Sequence, residues 1–163
     1  MPPAKRGNAA LDEFDLRLLE LLQADAHAPM EAIASQIGLS TPACYRRVRR
    51  LRETGAIRRE AALVDPATMG WPISLLVFIT LEREGPATMR EVMDNLEKVP
   101  EVIEAWNVTG DHDFIVRMVA RDMESYDAQV VDLFAADENI RSFKTVVILR
   151  QAKHRSPIPS APD

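Results

Sequence analysis

The chain has 163 residues, with 20 Lys and Arg against 25 Asp and Glu, for a formal net charge of −5. Its 47% hydrophobic content supports real cores in one ordinary domain or two small ones, and 28% charge of both signs belongs to a globular chain, not a disordered polyelectrolyte. The acidic balance excludes a uniformly basic nucleic-acid coat, the single Cys44 excludes a disulfide framework or a cysteine-cluster metal site, and no apolar run reaches the ~18–20 residues of a membrane-spanning helix.

Residues 1–10 read as a flexible arm with no secretory signal, which points to the cytoplasm. Asp12 then serves as the N-cap of a helix whose apolar positions are Phe14, Leu18, Leu21 and Leu22, with Leu11 as the staple before it. His27-Ala28-Pro29 breaks that helix. A second short helix spans Met30–Ile37, with Ile33, Ala34 and Ile37 on one face and Gly38 just past its end. Ser40 caps a third helix, Pro42 fits its first turn, and Gly55 closes it after about Thr54. Ile57–Val64 reads as a short strand, the wing of a winged helix-turn-helix, and Asp65-Pro66 as a turn.

The second half has another rhythm. Pro72–Leu81 is a buried-strand run. A helix opens at Gly85-Pro86, places Met89, Val92, Met93, Leu96 and Val99 inward, and stops at Pro100. Val102–Val108 and Phe114–Ala120 are strands around the turn 109–113. A helix capped by Asp122 or Ser125 turns Tyr126, Val130, Val131 and Phe134 inward, and Ile140–Leu149 is the last strand. The fold class is therefore α+β: a winged helix-turn-helix followed by a ferredoxin-like βαββαβ sandwich with both helices on one face of an antiparallel sheet. The expected organisation is an arm at 1–10, a helix-turn-helix unit at 11–62, a linker at 63–71, the βαββαβ domain at 72–153 and a Pro-rich disordered tail at 154–163.

Net charge conceals a split. Residues 1–62 hold ten Lys/Arg and eight Asp/Glu, a net of +2, which leaves −7 on the rest; Arg46–Arg59 alone carries seven arginines against Glu53. On a helical projection of the third helix, Cys44, Val48 and Leu51 face the core, so Cys44 is a small core residue. The opposite side carries Pro42, Ala43, Arg46, Arg49 and Arg50, flanked by Tyr45, Arg47 and Arg52. A helix of this kind enters a major groove by its first turn, so Ser40, Thr41, Ala43, Tyr45 and Arg46 are candidates for base edges. Arg47, Arg49, Arg50 and Arg52 are candidates for phosphate, and Arg58 and Arg59 for the flanking backbone. A solvated charge run is the ordinary alternative. Nearly unopposed sign, the preceding short helix and small residues at the start of the face favour double-stranded DNA.

Leu11-Asp12…Asp15…Leu18-Leu19…Leu22-Gln23, Ile37-Gly38-Leu39-Ser40…Cys44…Arg46-Arg47-Val48-Arg49-Arg50-Leu51…Gly55-Ala56-Ile57, Asp65-Pro66…Gly70, Thr109-Gly110-Asp111-His112-Asp113-Phe114 and Thr145-Val146-Val147 together resemble the Lrp/AsnC (feast/famine) transcription regulators over roughly residues 11–153. The resemblance implies a C-terminal effector-binding and assembly module of the regulator-of-amino-acid-metabolism type. It implies dimers formed by paired sheets, higher homo-oligomers, and a small effector, commonly an amino acid, bound between subunits. Carried over, the effector candidates are the turn Gly110, Asp111, His112 and Asp113, with Trp106, Val108, Thr109, Thr145 and Val147 more weakly. From the residues themselves, Gly110 permits positive φ and the two aspartates offer acceptors for an ammonium group; an Asp-rich hairpin turn without ligand is the equal alternative. His112 departs from the family's pattern and offers a different effector preference or a pH response, with a merely solvated turn histidine as the commoner alternative.

No nucleophile, P-loop or dinucleotide motif is present, His27, His112 and His154 form no metal pattern, and neither an enzyme activity, a cofactor nor a metal is expected. Two alternatives share the architecture: an enzyme resembling the sirohaem decarboxylases, and an effector-binding assembly protein that has lost DNA. The dense arginines of the third helix favour the DNA-binding regulator over both.

Overall fold

The computed structural model describes residues 11–83, 85–153 and 158–159. The arm expected at 1–10 lies outside them, as do His154 and most of the tail. The chain divides into two compact units, Met1–Ala62 with Lys153–Asp163, and Leu63–Ala152.

Among its described residues, the first unit has three helices: α1 (Glu13–Ala24), α2 (Met30–Ile37) and α3 (Thr41–Glu53). Asp12 caps α1 in a reciprocal capping box with Asp15, each side chain accepting the other's backbone N–H. α2 ends at Gly38 with φ +74°, a left-handed conformation that an L side chain resists, so the tight turn into α3 depends on glycine there. Ser40 occupies the N-cap position of α3 in extended conformation, but its hydroxyl makes none of the expected cap bonds. Leu18, Ile33, Ala34, Ile37, Cys44, Val48 and Leu51 fill the core, with Cys44 buried as expected. Phe14, read as part of the apolar stripe, is instead exposed beside Arg47. Within the tail, Ile158 trades both of its backbone hydrogen bonds with the Gln23 side-chain amide at 2.8 and 3.2 Å. Because Pro157 and Pro159 lack an N–H, Ile158 alone there can donate.

The strand expected at Ile57–Val64 does not form; the segment from Arg58 to Asp65 has no regular structure. Arg58-Arg59-Glu60 is a charged, exposed run, and among the described residues no strand pairs with it to take its backbone hydrogen bonds. A single 3₁₀ turn follows at Pro66–Met69.

The second unit is β1 (Ile73–Leu81), α4 (Pro86–Glu97), β2 (Val102–Asn107), β3 (Phe114–Ala120), α5 (Met123–Val130) and β4 (Ile140–Val147). All pairings are antiparallel in the order β2-β3-β1-β4. One sheet face, carrying Leu75, Val77, Ile79 and Leu81 with Phe114, Val116 and Met118, packs on Val92 and Leu96 of α4 and Tyr126, Val130 and Phe134 next to them. Asp122 caps α5 in a capping box with Ser125. The helical path then widens into a π turn over Val131–Ala135. That extra residue per turn rotates the chain, so Phe134 is buried while Val131, expected inward, points to solvent. Met93 is likewise more exposed than the helical spacing implies.

Candidate functional site

α3 presents its buried edge, Cys44, Val48 and Leu51, to the core and the remainder of its circumference outward. Ser40, Pro42, Tyr45, Arg46, Arg49, Arg50 and Arg52 are exposed, while Thr41, Ala43 and Arg47 are half-buried. Leu39, Ala43, Arg46, Arg47 and Arg50 line a shallow cleft of about 290 Å³ along its N-terminal half. The structure thus keeps all ten sequence-derived candidates on one short helix and its cap, but it does not leave the arginines equivalent.

Asp15 separates them. Its side chain is 0% exposed, and its two oxygens accept from Arg47 Nη1 at 2.8 Å and from Arg50 Nη2. Arg47 Nη1 also reaches both Asp12 oxygens, at 2.7 and 2.8 Å, and its guanidinium lies 5.5 Å from the Phe14 ring centroid. The Arg47 bond holds the Asp12 carboxyl below its ordinary value of 3.8, aided by the Asp15 backbone N–H, and Arg47 is in turn fixed in its charged form. A carboxylate removed from water must be paired, and breaking such a pair from one side costs about 3–5 kcal/mol. Arg49 is 82% exposed, and its one ion pair among the described residues is with Glu53 a turn away, a contact that water and salt screen. Arg52 makes a similar exposed pair with Glu60 at 2.7 Å, and Arg46 has no ion pair among the described residues. Arg46, Arg49 and Arg52 are thus unpaired or paired only in exposed contacts among the described residues, whereas Arg47 and Arg50 are held by the buried Asp15.

Sequence reasoning placed Asp15 in the motif but gave it no task. A signal was available: Asp15, Leu18 and Leu22 recur at helical spacing, so an acid occupies the buried stripe of the helix that faces an arginine-rich one.

The turn at 109–113 is built around its second aspartate. Leu81 N–H donates to Asp113 Oδ2 at 2.8 Å, and Asp113 N–H donates to the Ile79 carbonyl at 2.9 Å. The Asp113 carbonyl accepts from Val108 N–H and the Asn107 side chain. This carboxylate therefore ties off the end of β1, and Asp111, which is exposed, is the one that faces solvent. Gly110 has φ +124°, so the backbone freedom expected of it is used. His112 Nδ1 lies 3.1 Å from Thr80 Oγ1 with its ring 5.3 Å from Phe78.

Of the remaining effector candidates, Val108 and Thr109 flank the turn, whereas Thr145 and Val147 lie away from it on β4. Trp106 pairs across from Ile115, on the sheet face that carries Phe78. Thr145 pairs across from Val77 on the helix-covered face, where its hydroxyl bonds the Tyr126 hydroxyl; burial raises the Tyr126 phenol above its ordinary value of 10.0. Val147 lies further along β4 opposite Leu75, and two strands separate β4 from β2. Val108 is half-buried and Thr109 exposed beside the turn. Among the described residues, no group of acidic, histidine and cysteine side chains has the arrangement of a metal site.

Two family models match the chain. An AsnC-type helix-turn-helix domain covers residues 11–52 and an Lrp/AsnC ligand binding domain covers residues 74–158. A leucine-responsive regulatory protein from Rhizobium meliloti is 32% identical over 143 residues, 88% of this chain and 92% of that one. Among solved structures, an AsnC family transcriptional regulator from Agrobacterium tumefaciens superposes with a TM-score of 0.83 at 30% identity, covering 91% of this chain and 97% of that one. A transcriptional regulator from Neisseria meningitidis, solved as a complex with L-Met, shares the fold with a TM-score of 0.84 at 23% identity, covering 91% and 96%.

Proposed function

This chain belongs to the Lrp/AsnC family of DNA-binding transcriptional regulators, and from that premise we propose that it is a cytoplasmic homo-oligomer that reads DNA through α3 and responds to an amino acid bound at its C-terminal unit. The observation that carries the DNA reading is the outward face of α3. Ser40, Thr41, Pro42, Ala43, Tyr45 and Arg46 sit where a first turn meets base edges, and the loosely paired Arg49 and Arg52 sit where phosphates pass. Arg47 and Arg50 belong to the same surface but already have carboxylate partners. The curated relatives are transcriptional regulators, so the decarboxylase alternative falls away, and the arginine face speaks against a module that has lost DNA.

Support for self-association comes from the second sheet face. Among the described residues of this unit no helix packs on it, and it carries Leu76, Phe78 and Ile115 with Trp106 and Val146, both more than 40% exposed. His112 lies over that same face beside Phe78 and Thr80. A ligand held by Asp111 and His112 therefore meets the surface through which copies would pair, which gives effector and assembly a shared set of contacts and hence a coupling free energy. The amino-acid class is supported by the leucine-responsive relative and the L-Met complex of the structural neighbour.

The test is footprinting of genomic fragments selected by the purified full chain, repeated with each amino acid added. Paired protected half-sites about 10 base pairs or a multiple apart, changed by at least one amino acid, are expected. Protection absent at every fragment would overturn the DNA reading, and protection that no amino acid alters would overturn the effector reading.

A further inference from the structure

We propose that Asp15 is a positioning residue of the DNA-reading unit, which withdraws Arg47 and Arg50 from the phosphate contacts and uses them to fix how α3 is presented. The inference rests on the reading of α3 as the DNA-contacting helix. Both oxygens of a fully buried carboxylate are occupied by guanidinium groups from α3, one from Arg47 and one from Arg50. Those arginines stand three residues apart, so they grip Asp15 from neighbouring positions on one side of α3 and resist both rotation about its axis and sliding along it. The apolar contacts of Cys44, Val48 and Leu51 add close packing to that constraint but not the bond direction of the two guanidinium–carboxylate contacts.

Asp15 is itself immobilised. It is the third residue of α1, its carboxylate accepts the Asp12 N–H at 3.2 Å, and its own N–H is held by Asp12 at 2.9 Å. Asp12 closes the assembly from outside by taking a second share of Arg47 Nη1, and Phe14 covers the guanidinium. The two aspartates stand where phosphates would stand for Arg47 and Arg50. The arginine-rich helix thus carries two classes of cation: struts whose anion is built in, and the free or loosely paired Arg46, Arg49 and Arg52 that exchange theirs for DNA.

Salt-dependent binding separates the classes, because each phosphate contact contributes about 0.9 to the slope of log K against log salt. Binding of the full chain to a mixed-sequence duplex of about 30 base pairs is followed by fluorescence anisotropy across salt, with circular dichroism confirming the fold of each variant. Arg46→Ala and Arg49→Ala are expected to reduce the slope by about 0.9 per bound protomer at unchanged melting temperature. Arg50→Ala is expected to leave the slope unchanged while lowering the melting temperature. Asp15→Asn keeps the side chain's shape and releases two cations, so its slope is expected to steepen by about 1–2, an effect that a purely structural aspartate would not produce. A drop of about 0.9 for Arg50→Ala with no thermal effect, or an unchanged slope for folded Asp15→Asn, would overturn the proposal. Should Arg50→Ala not fold, Asp15→Asn and Arg47→Gln decide it by the same slopes. Slopes unchanged for Arg46→Ala and Arg49→Ala as well would overturn the reading of α3 itself.

Discussion

The two units use an internal acid in opposite ways. In the helical unit Asp15 sits inside the core and gathers side chains of the helix above it. In the sheet unit the described core is apolar side chains apart from the Tyr126 hydroxyl, and Asp113 is kept at the rim, where it accepts a backbone N–H. The difference follows from what each must hold still. A sheet's geometry is fixed by its own ladder of backbone bonds, so its core needs only volume and its loose end needs one carboxylate. A short helix has no ladder to its neighbours, and an Arg–carboxylate fork supplies direction that apolar contact lacks.

The comparison predicts a ranking of damage. Phe114→Ala empties the centre of the sheet unit and should cost about 3–5 kcal/mol in urea unfolding, the largest effect of the set. Asp15→Ala should cost the helical unit about 2–3 kcal/mol, less than a wholly buried pair would, because Arg47 and Arg50 can turn toward water; native-state hydrogen exchange of α1 and α3 would locate the loss. Asp113→Ala leaves the Leu81 N–H without its acceptor and should cost about 1–2 kcal/mol, with DNA affinity retained. An Asp113 variant as costly as Phe114→Ala would erase the distinction between rim and core.

The smallest effect is a pH dependence. Asp12 has its folded-state value lowered by Arg47, so it binds protons more weakly folded than unfolded. Its contribution is complete above the unfolded value of 3.8 and is lost as pH falls through the lower, folded one. Acid titration of unfolding should therefore be less steep below pH 3.8 for Asp12→Asn than for the parent chain. Equal steepness would mean that the Arg47 contact does not persist in solution.

Much of this was legible in the sequence because local chemistry agreed with the fold. Pro29, Gly38 and Pro42 bracket α2 and open α3 without ambiguity, and Phe114–Ala120 emerges as a strand with the bounds its apolar run suggests. The misses have tertiary causes. Ile57–Val64 has apolar ends around a charged Arg58-Arg59-Glu60 run and no partner strand among the described residues, and Val131 is turned outward by a π turn that periodicity does not encode. The arginines of α3 could be counted from the sequence, whereas their division depended on α1, some thirty-five residues earlier, placing Asp15 beneath Arg50.

The surface that meets DNA can be mapped directly by amide hydrogen exchange of the full chain with and without a duplex. Slowed exchange concentrated in residues 40–53, with β1–β4 unchanged, is the result this account predicts. Slowing confined to the sheet unit, with α3 exchanging as in the free protein, would contradict it.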